Sequence, residues 1–86
     1  MLADARMIRW EGGGEAELVR ISGEMVSLVS TTPHPPGSRV RGTLDDGTVV
    51  TLKTHASRKR DDGRFDVEGR LLDLRRDVRE RLERLV

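Results

Sequence analysis

The sequence contains no cysteine and no tyrosine, and its only aromatic residues are Trp10 and Phe65. Without cysteine the chain has no disulfides, thiol nucleophiles, iron–sulfur clusters or Cys-based zinc sites. Carbohydrate-binding modules and single-strand nucleic-acid-binding domains need several rings on which sugars or bases can stack. Because Trp10 and Phe65 lie far apart in the sequence, they cannot form such a platform alone.

Neither sign of charge dominates, and long hydrophobic runs are absent. Sixteen Lys+Arg oppose 15 Asp+Glu, which gives a formal net charge of +1. No apolar run approaches the ~20 residues of a membrane span, and residues 1–6 lack the basic-then-apolar layout of a signal peptide. The length of 86 residues suits one domain and not two. We therefore expect a single cytoplasmic domain over residues 1–86, stabilised by closed packing.

Turn signals recur at short intervals along the chain, as is typical of all-β proteins. Asp45-Asp46-Gly47 and Asp61-Asp62-Gly63 have the composition of hairpin turns, in which glycine supplies a positive φ. Between the turns, apolar and polar residues alternate with a period of two, which indicates strands with one buried face. The pattern predicts six strands, over residues 5–10, 15–21, 25–29, 39–44, 48–56 and 65–72.

The pattern changes at the C-terminal end, where Leu74, Val78, Leu82 and Leu85 recur at helical spacing. This spacing predicts an amphipathic helix over about residues 74–85, with Asp73 as its N-cap. An isolated helix of ~12 residues is marginal in water, so we expect it to pack on the strands. The predicted architecture is all-β, a six-stranded antiparallel β-barrel with a C-terminal α-helix.

This order of elements resembles the PilZ domain family of bacterial signalling. The best-matching stretch is VRISGEMVSLVS, residues 19–30, where one strand leads through Ser22 into a short apolar strand. Pro36-Gly37, the turn at residues 61–63 and the closing helix extend the resemblance over about residues 15–86. The resemblance implies a six-stranded barrel closed by a helix, cyclic di-GMP as a ligand, and a role in motility, pili or surface behaviour.

The family's cyclic di-GMP motifs map onto this sequence with substitutions. Ser22 matches the serine of one motif, whereas Arg20 occupies its acidic or amide position and Met25 its glycine position. The family's Arg-x-x-x-Arg motif is represented by Arg6 and Arg9, which are three residues apart instead of four. The resemblance therefore implies Arg6, Arg9, Arg20 and Ser22 as ligand-binding candidates in a degenerate motif, with weak or absent nucleotide binding.

A second candidate site is a basic outer face of the barrel. Arg39 and Arg41 on one predicted strand and Lys53 and His55 on the next are joined by Arg70 on the last. We expect Asp66 and Glu68 of the last strand to interleave with them, and cross-strand ion pairs are then the alternative explanation. We predict a protein-partner surface comprising Trp10, Arg39, Arg41, Lys53, Arg70 and Leu85.

The sequence gives little evidence for a catalytic site or a metal site. The only histidines, His34 and His55, are not accompanied by a carboxylate cluster of the kind that holds zinc or iron. Ser57, His55 and Asp46 can be combined into a triad on paper, but neither a nucleophile elbow nor an oxyanion nest is visible. We expect no catalytic residues, no metal site and no cofactor.

The function predicted is that of a non-enzymatic PilZ-like regulatory module that acts by protein–protein interaction. One alternative is a functional cyclic di-GMP receptor with a rearranged site. Another is a small basic-faced β-barrel that binds nucleic acid, although the charge balance and the scarcity of aromatics count against it.

Overall fold

The computed structural model of the protein describes residues 6–85, which form six strands and one helix. The predicted elements are confirmed, with small shifts at their ends and a longer fifth strand. The elements are β1 (Met7–Trp10), β2 (Glu15–Ser22), β3 (Met25–Ser30), β4 (Arg39–Leu44), β5 (Val49–Lys59), β6 (Phe65–Leu72) and α1 (Arg76–Leu85).

The strands form a closed antiparallel barrel in the order β1-β2-β3-β6-β5-β4. Hydrogen bonds between β1 and β4 complete the barrel, and those between β3 and β6 join its two halves. Closure gives every strand a hydrogen-bonded neighbour on each side over at least part of its length, which limits the edge open to pairing with another chain. The predicted six-stranded antiparallel barrel with a C-terminal helix is confirmed.

The interior is filled by the apolar residues of the alternating pattern. Glycine at two inward positions keeps the barrel narrow. A Cβ at Gly69 of β6 would lie 2.6 Å from the backbone oxygen of Lys53 on β5, a separation that requires the strands to move apart. The buried hydrophobic residues are Ile8, Trp10, Ala16, Leu18, Val26, Leu28, Leu44, Val50, Leu52, Val67, Leu71 and Leu82.

Two β-bulges interrupt the alternation. The register shifts between Leu18 and Arg20 on β2 and between Thr54 and Ala56 on β5. A bulge inserts one residue and reverses which later side chains face inward. The period of two in the fifth strand predicts that Ala56 faces inward together with Thr54. This prediction is wrong, because Ala56 follows the bulge and is exposed.

The helix begins later than its apolar spacing suggests. Asp73 adopts a left-handed backbone, with φ of 51°, and α1 starts at Arg76. The predicted helix is confirmed with a start two residues later, but the assignment of Asp73 as its N-cap is wrong, since an N-cap residue has β-region φ and ψ. Leu82 is 1% exposed and is the one buried residue of α1.

The helix closes one end of the barrel. Leu82 lines a small internal void together with residues of five strands, including Ile8, Leu28 and Leu52. On the outside, the Arg81 guanidinium donates hydrogen bonds to Asp46 Oδ2 at 2.7 Å and to Thr48 Oγ1 at 2.5 Å. These bonds tie the helix to the turn between β4 and β5. Across residues 6–85, no helix has the length and apolar content needed to cross a membrane.

Candidate functional site

Three cations form a row on the outer face of β4, β5 and β6. Arg39 lies directly opposite Lys53, and Lys53 lies directly opposite Arg70. All three residues are exposed. Neighbouring strands lie about 4.8 Å apart, so the Cα atoms of the three cationic residues span about 10 Å. We call Arg39, Lys53 and Arg70 the cation row.

The cation row has no counter-ion within the part of the chain that the structure describes. None of its residues lies within 4.0 Å of a carboxylate, whereas Arg41, on the same strand as Arg39, pairs with Glu11 at 3.2 Å. Like charges directly opposite each other destabilise a sheet. The row is therefore an unfavourable arrangement for the isolated barrel.

The acidic residues of β6 do not interleave with the row, so that expectation is wrong. Glu68 lies opposite Ser27 on β3 and Ala56 on β5. Asp66 lies opposite Arg58 and accepts a hydrogen bond from Arg60 at 3.1 Å. Both carboxylates lie away from the row along β6, because Glu68 and Asp66 precede Arg70 by two and four residues and pair with residues of β5 that follow Lys53.

Apolar side chains flank the cation row. Met25 of β3 lies opposite Arg70 at one end of the row and is 40% exposed. In the next outward-facing register, Thr51 lies opposite Leu72, which is half-buried. Val49, two residues before Thr51, is 54% exposed. The face thus combines a line of positive charge with apolar groups beside it.

Two of the four residues predicted to bind a nucleotide, Arg9 and Ser22, lie far apart on the barrel. Arg9 lies opposite Glu15 at the start of β2, whereas Ser22 ends that strand. Seven residues of extended chain separate the two positions, which is roughly 20 Å. Arg6 lies nearer, with its carbonyl accepting the Leu18 N–H at 2.9 Å.

Arg20 lies instead in a groove on the outside of β2, β3, β6 and β5, with a volume of about 540 Å³. Sequence reasoning missed this groove, because the two bulges that reshape its walls leave no clear trace in the hydrophobic pattern. Its lining carries charges of both signs. Lining residues include Val19, Arg20, Ser27, Ala56, Arg58 and Glu68.

Trp10 belongs to the core and not to a partner surface, so that assignment is corrected. It is 6% exposed, and its Nε1 donates a hydrogen bond to Ser30 Oγ at 3.0 Å. The His34 ring stands edge-on to the indole, with centroids 4.9 Å apart. Burial lowers the pKa of His34 below its ordinary value. Leu85 is also half-buried, against the core.

Asp46 is a titratable group with a structural role in the turn between β4 and β5. Asp46 caps its own turn by accepting the Thr48 N–H at 2.9 Å. Hydrogen bonding to Thr48, assisted by the charge of Arg81, lowers the pKa of the Asp46 carboxyl. Over residues 6–85, no group of three or more His, Asp or Glu side chains is arranged to hold a metal ion.

Comparisons of the chain with protein-family models, with curated proteins and with solved structures find no match. The class of protein is accordingly defined by its own geometry. It is a closed six-stranded antiparallel β-barrel capped by a C-terminal helix, with a row of three cations on one outer face that forms no ion pair within residues 6–85.

Proposed function

We propose that this barrel is a non-enzymatic, PilZ-like regulatory module of the bacterial cytoplasm that acts by binding a protein partner. The observation that carries the proposal is the cation row, in which Arg39, Lys53 and Arg70 lie side by side and form no ion pair with any carboxylate of residues 6–85. A partner that brings carboxylates to this face removes the repulsion and gains charge complementarity.

Cyclic di-GMP signalling enters the proposal as the resemblance implies it, with weak or absent binding to this domain. Arg20 stands where a carboxylate or amide would accept the guanine N–H groups, and a guanidinium has no acceptor. Met25 adds a side chain where the family has glycine. The separation of Arg9 from Ser22 along β2 further disfavours one composite pocket.

Nucleic-acid binding is less well supported. Binding to a phosphate backbone strengthens with the number of phosphates neutralised, and the row offers three cations. Glu68 and Asp66 present negative charge on the adjoining outer face, two and four residues before Arg70. Both aromatic rings are at least half-buried, so neither gives an open stacking surface.

Site-specific photo-crosslinking in the native cells tests the proposal. A photoreactive amino acid replaces Thr51, which lies beside the cation row, and in a control variant it replaces Arg79 on the exposed side of α1. We expect a discrete crosslinked protein from position 51, lost when Lys53→Glu is added. Absence of that product, or an equal product from position 79, would contradict the proposed function.

A further inference from the structure

The spacing of the cation row specifies the shape of the partner segment that fits it. From the register and exposure of Arg39, Lys53 and Arg70, we infer that the row binds an α-helix of the partner, laid across β4, β5 and β6 with a line of carboxylates facing the barrel. This inference rests on the proposed function and names the chemistry of the partner.

The cation row and a helix have matching lengths. The Cα atoms of successive cations are separated by one inter-strand spacing of about 4.8 Å, so those at the ends of the row lie about 9.6 Å apart. Acidic residues at positions i, i+4 and i+7 of a helix lie at about 6 and 10.5 Å along its axis. Long, flexible Lys and Arg side chains absorb the remaining difference of about an ångström. Carboxylates of the partner can therefore meet all three cations at once.

An extended partner segment fits less well. Alternate side chains of a strand lie about 6.8 Å apart, so the third in line is about 13.6 Å from the first, well beyond the row. Addition of a strand at the cation row is also unavailable, because Lys53 on its central strand is already paired with Arg39 on one side and with Arg70 on the other. Recognition at this face depends on side chains and not on backbone pairing.

Apolar side chains beside the row define the other face of the partner helix. Met25 at the end of the row and Leu72 in the adjoining register offer apolar contacts. Methionine adapts its shape to different apolar neighbours. The matching helix is therefore amphipathic, with a carboxylate line bordered by apolar residues, and differs from a uniformly acidic segment.

The helix of this chain does not supply that line. The side of α1 that faces away from the barrel mixes both signs, and Arg76 on it pairs with Glu80 at 3.4 Å. Positive Arg79 and Arg84 lie among its acids. The occupant is thus a segment of another protein, and self-association is an outcome against which the inference is tested.

Binding of two synthetic helical peptides tests the inference by fluorescence anisotropy. One labelled, end-capped alanine- and glutamine-based peptide carries glutamates at i, i+4, i+7 and i+11, bordered by leucines. Its isomer has the same composition, with the glutamates dispersed around the helix, and circular dichroism confirms equal helicity. We expect saturable binding of the aligned peptide only, weakening as salt increases.

Three variants locate the binding. Lys53→Glu should weaken it by about tenfold or more, because it places a repelling charge at the centre of the row. Lys53→Arg should preserve it, and Arg79→Glu, which makes the same change in net charge on α1, should leave it unaltered. Lys53→Glu relieves repulsion in the free barrel, so we expect its melting temperature to be unchanged or higher.

Equal binding of the two peptides, or insensitivity to Lys53→Glu, would overturn the inference. So would tighter, Lys53-dependent binding of duplex DNA, or a Lys53-dependent dimer in sedimentation. Should the Lys53-dependent crosslink from position 51 persist while neither peptide binds, the helical partner is wrong and the proposed function survives. If position 51 gives no Lys53-dependent crosslink and the aligned peptide does not bind, both proposals are wrong.

Discussion

Trp10 and Ser30 meet inside the barrel, where the indole Nε1 donates a hydrogen bond to Ser30 Oγ at 3.0 Å. The bond joins β1 to β3, two strands that are not neighbours in the sheet. Ser30 Oγ also accepts the Thr32 N–H at 3.2 Å, at the start of the loop that follows β3. One buried hydroxyl thus satisfies two donors and fixes the position of the single tryptophan.

Ser30→Ala should destabilise the barrel more than its small change in volume suggests. It leaves the buried indole N–H without an acceptor, which costs about 1–3 kcal/mol. For a domain of this size we expect the melting temperature to fall by roughly 5–15 °C in a calorimetric scan. Ser22→Ala, at the exposed end of β2, is the matched control and should shift it by about a degree. Similar melting of the two variants would contradict a stabilising Trp10–Ser30 bond.

His34 should make stability depend on pH near neutrality. Because burial lowers its pKa in the folded state, the unfolded chain binds more protons just below its ordinary pKa of about 6.5. This contribution to stability is complete above that value and declines as the pH falls toward the folded pKa. Melting temperatures and Trp10 fluorescence recorded between about pH 7.5 and pH 5 report it.

Two histidine variants separate this effect from general acid sensitivity. His34→Gln should flatten the decline in melting temperature over that range. His55→Gln, which replaces an exposed imidazole, should leave the His34 contribution intact. A melting temperature that rises on acidification in the parent protein, and no longer does so in His34→Gln, would mean that the pKa shift has the opposite sign.

Leu82→Ala tests whether α1 belongs to the core. Leu82 is 1% exposed, and deleting a buried leucine side chain costs about 2–5 kcal/mol. The melting temperature should therefore fall by roughly 10 °C or more. Glu83→Ala, at the neighbouring exposed position, should change it by about one or two degrees. Nearly equal melting of the two proteins would show that the helix does not cap the barrel in solution.

Gly69→Ala should strain the barrel between β5 and β6. The added methyl group would sit 2.6 Å from the backbone oxygen of Lys53 and 2.7 Å from Leu52 Cδ1. Overpacking of this kind costs about 1–3 kcal/mol, measurable by denaturant unfolding. Gly12→Ala is the control, because no heavy atom lies within 4 Å of a Cβ at that position. An unchanged midpoint in Gly69→Ala would show that the strands separate at little cost.

Cyclic di-GMP should produce no saturable chemical-shift changes at micromolar concentration in a residue-resolved NMR titration. The expectation follows from Arg20 and Met25 at the motif positions and from the distance between Arg9 and Ser22. A low-micromolar dissociation constant that is lost on Arg6→Ala or Arg9→Ala would establish the receptor alternative instead.

The local pattern of the sequence was sufficient for the strands. In β6, the alternation of Val67 and Leu71 with Glu68 and Arg70 predicts which side chains face inward, and the structure agrees. Burial of apolar surface acts on each strand in the same way, so its period is visible in any short window. The turn at residues 61–63 was equally predictable from the sequence, because the positive φ of Gly63 restricts which residue types can stand at that position.

Other features depended on contacts between distant residues. The bulge on β5 turns Ala56 outward and bends that strand within the closed sheet. The left-handed backbone of Asp73 precedes a helix that starts at Arg76. Neither feature is visible in the spacing of the apolar residues. Trp10 at the end of a short strand gave no sign that Ser30 would receive its N–H. That contact arises only when β1 and β3 face each other across the interior.

The candidate site, like the fold, was predictable from the sequence only in part. The sequence by itself determined that Arg39, Lys53 and Arg70 occupy outward positions of three strands, because each alternates with inward-facing neighbours. Only the tertiary structure decided that they share one register position, and that Glu68 and Asp66 do not. Register is fixed by closure of the whole barrel and by the packing of its interior, and a slip of two residues on β6 would preserve every inward face yet put Glu68 opposite Lys53.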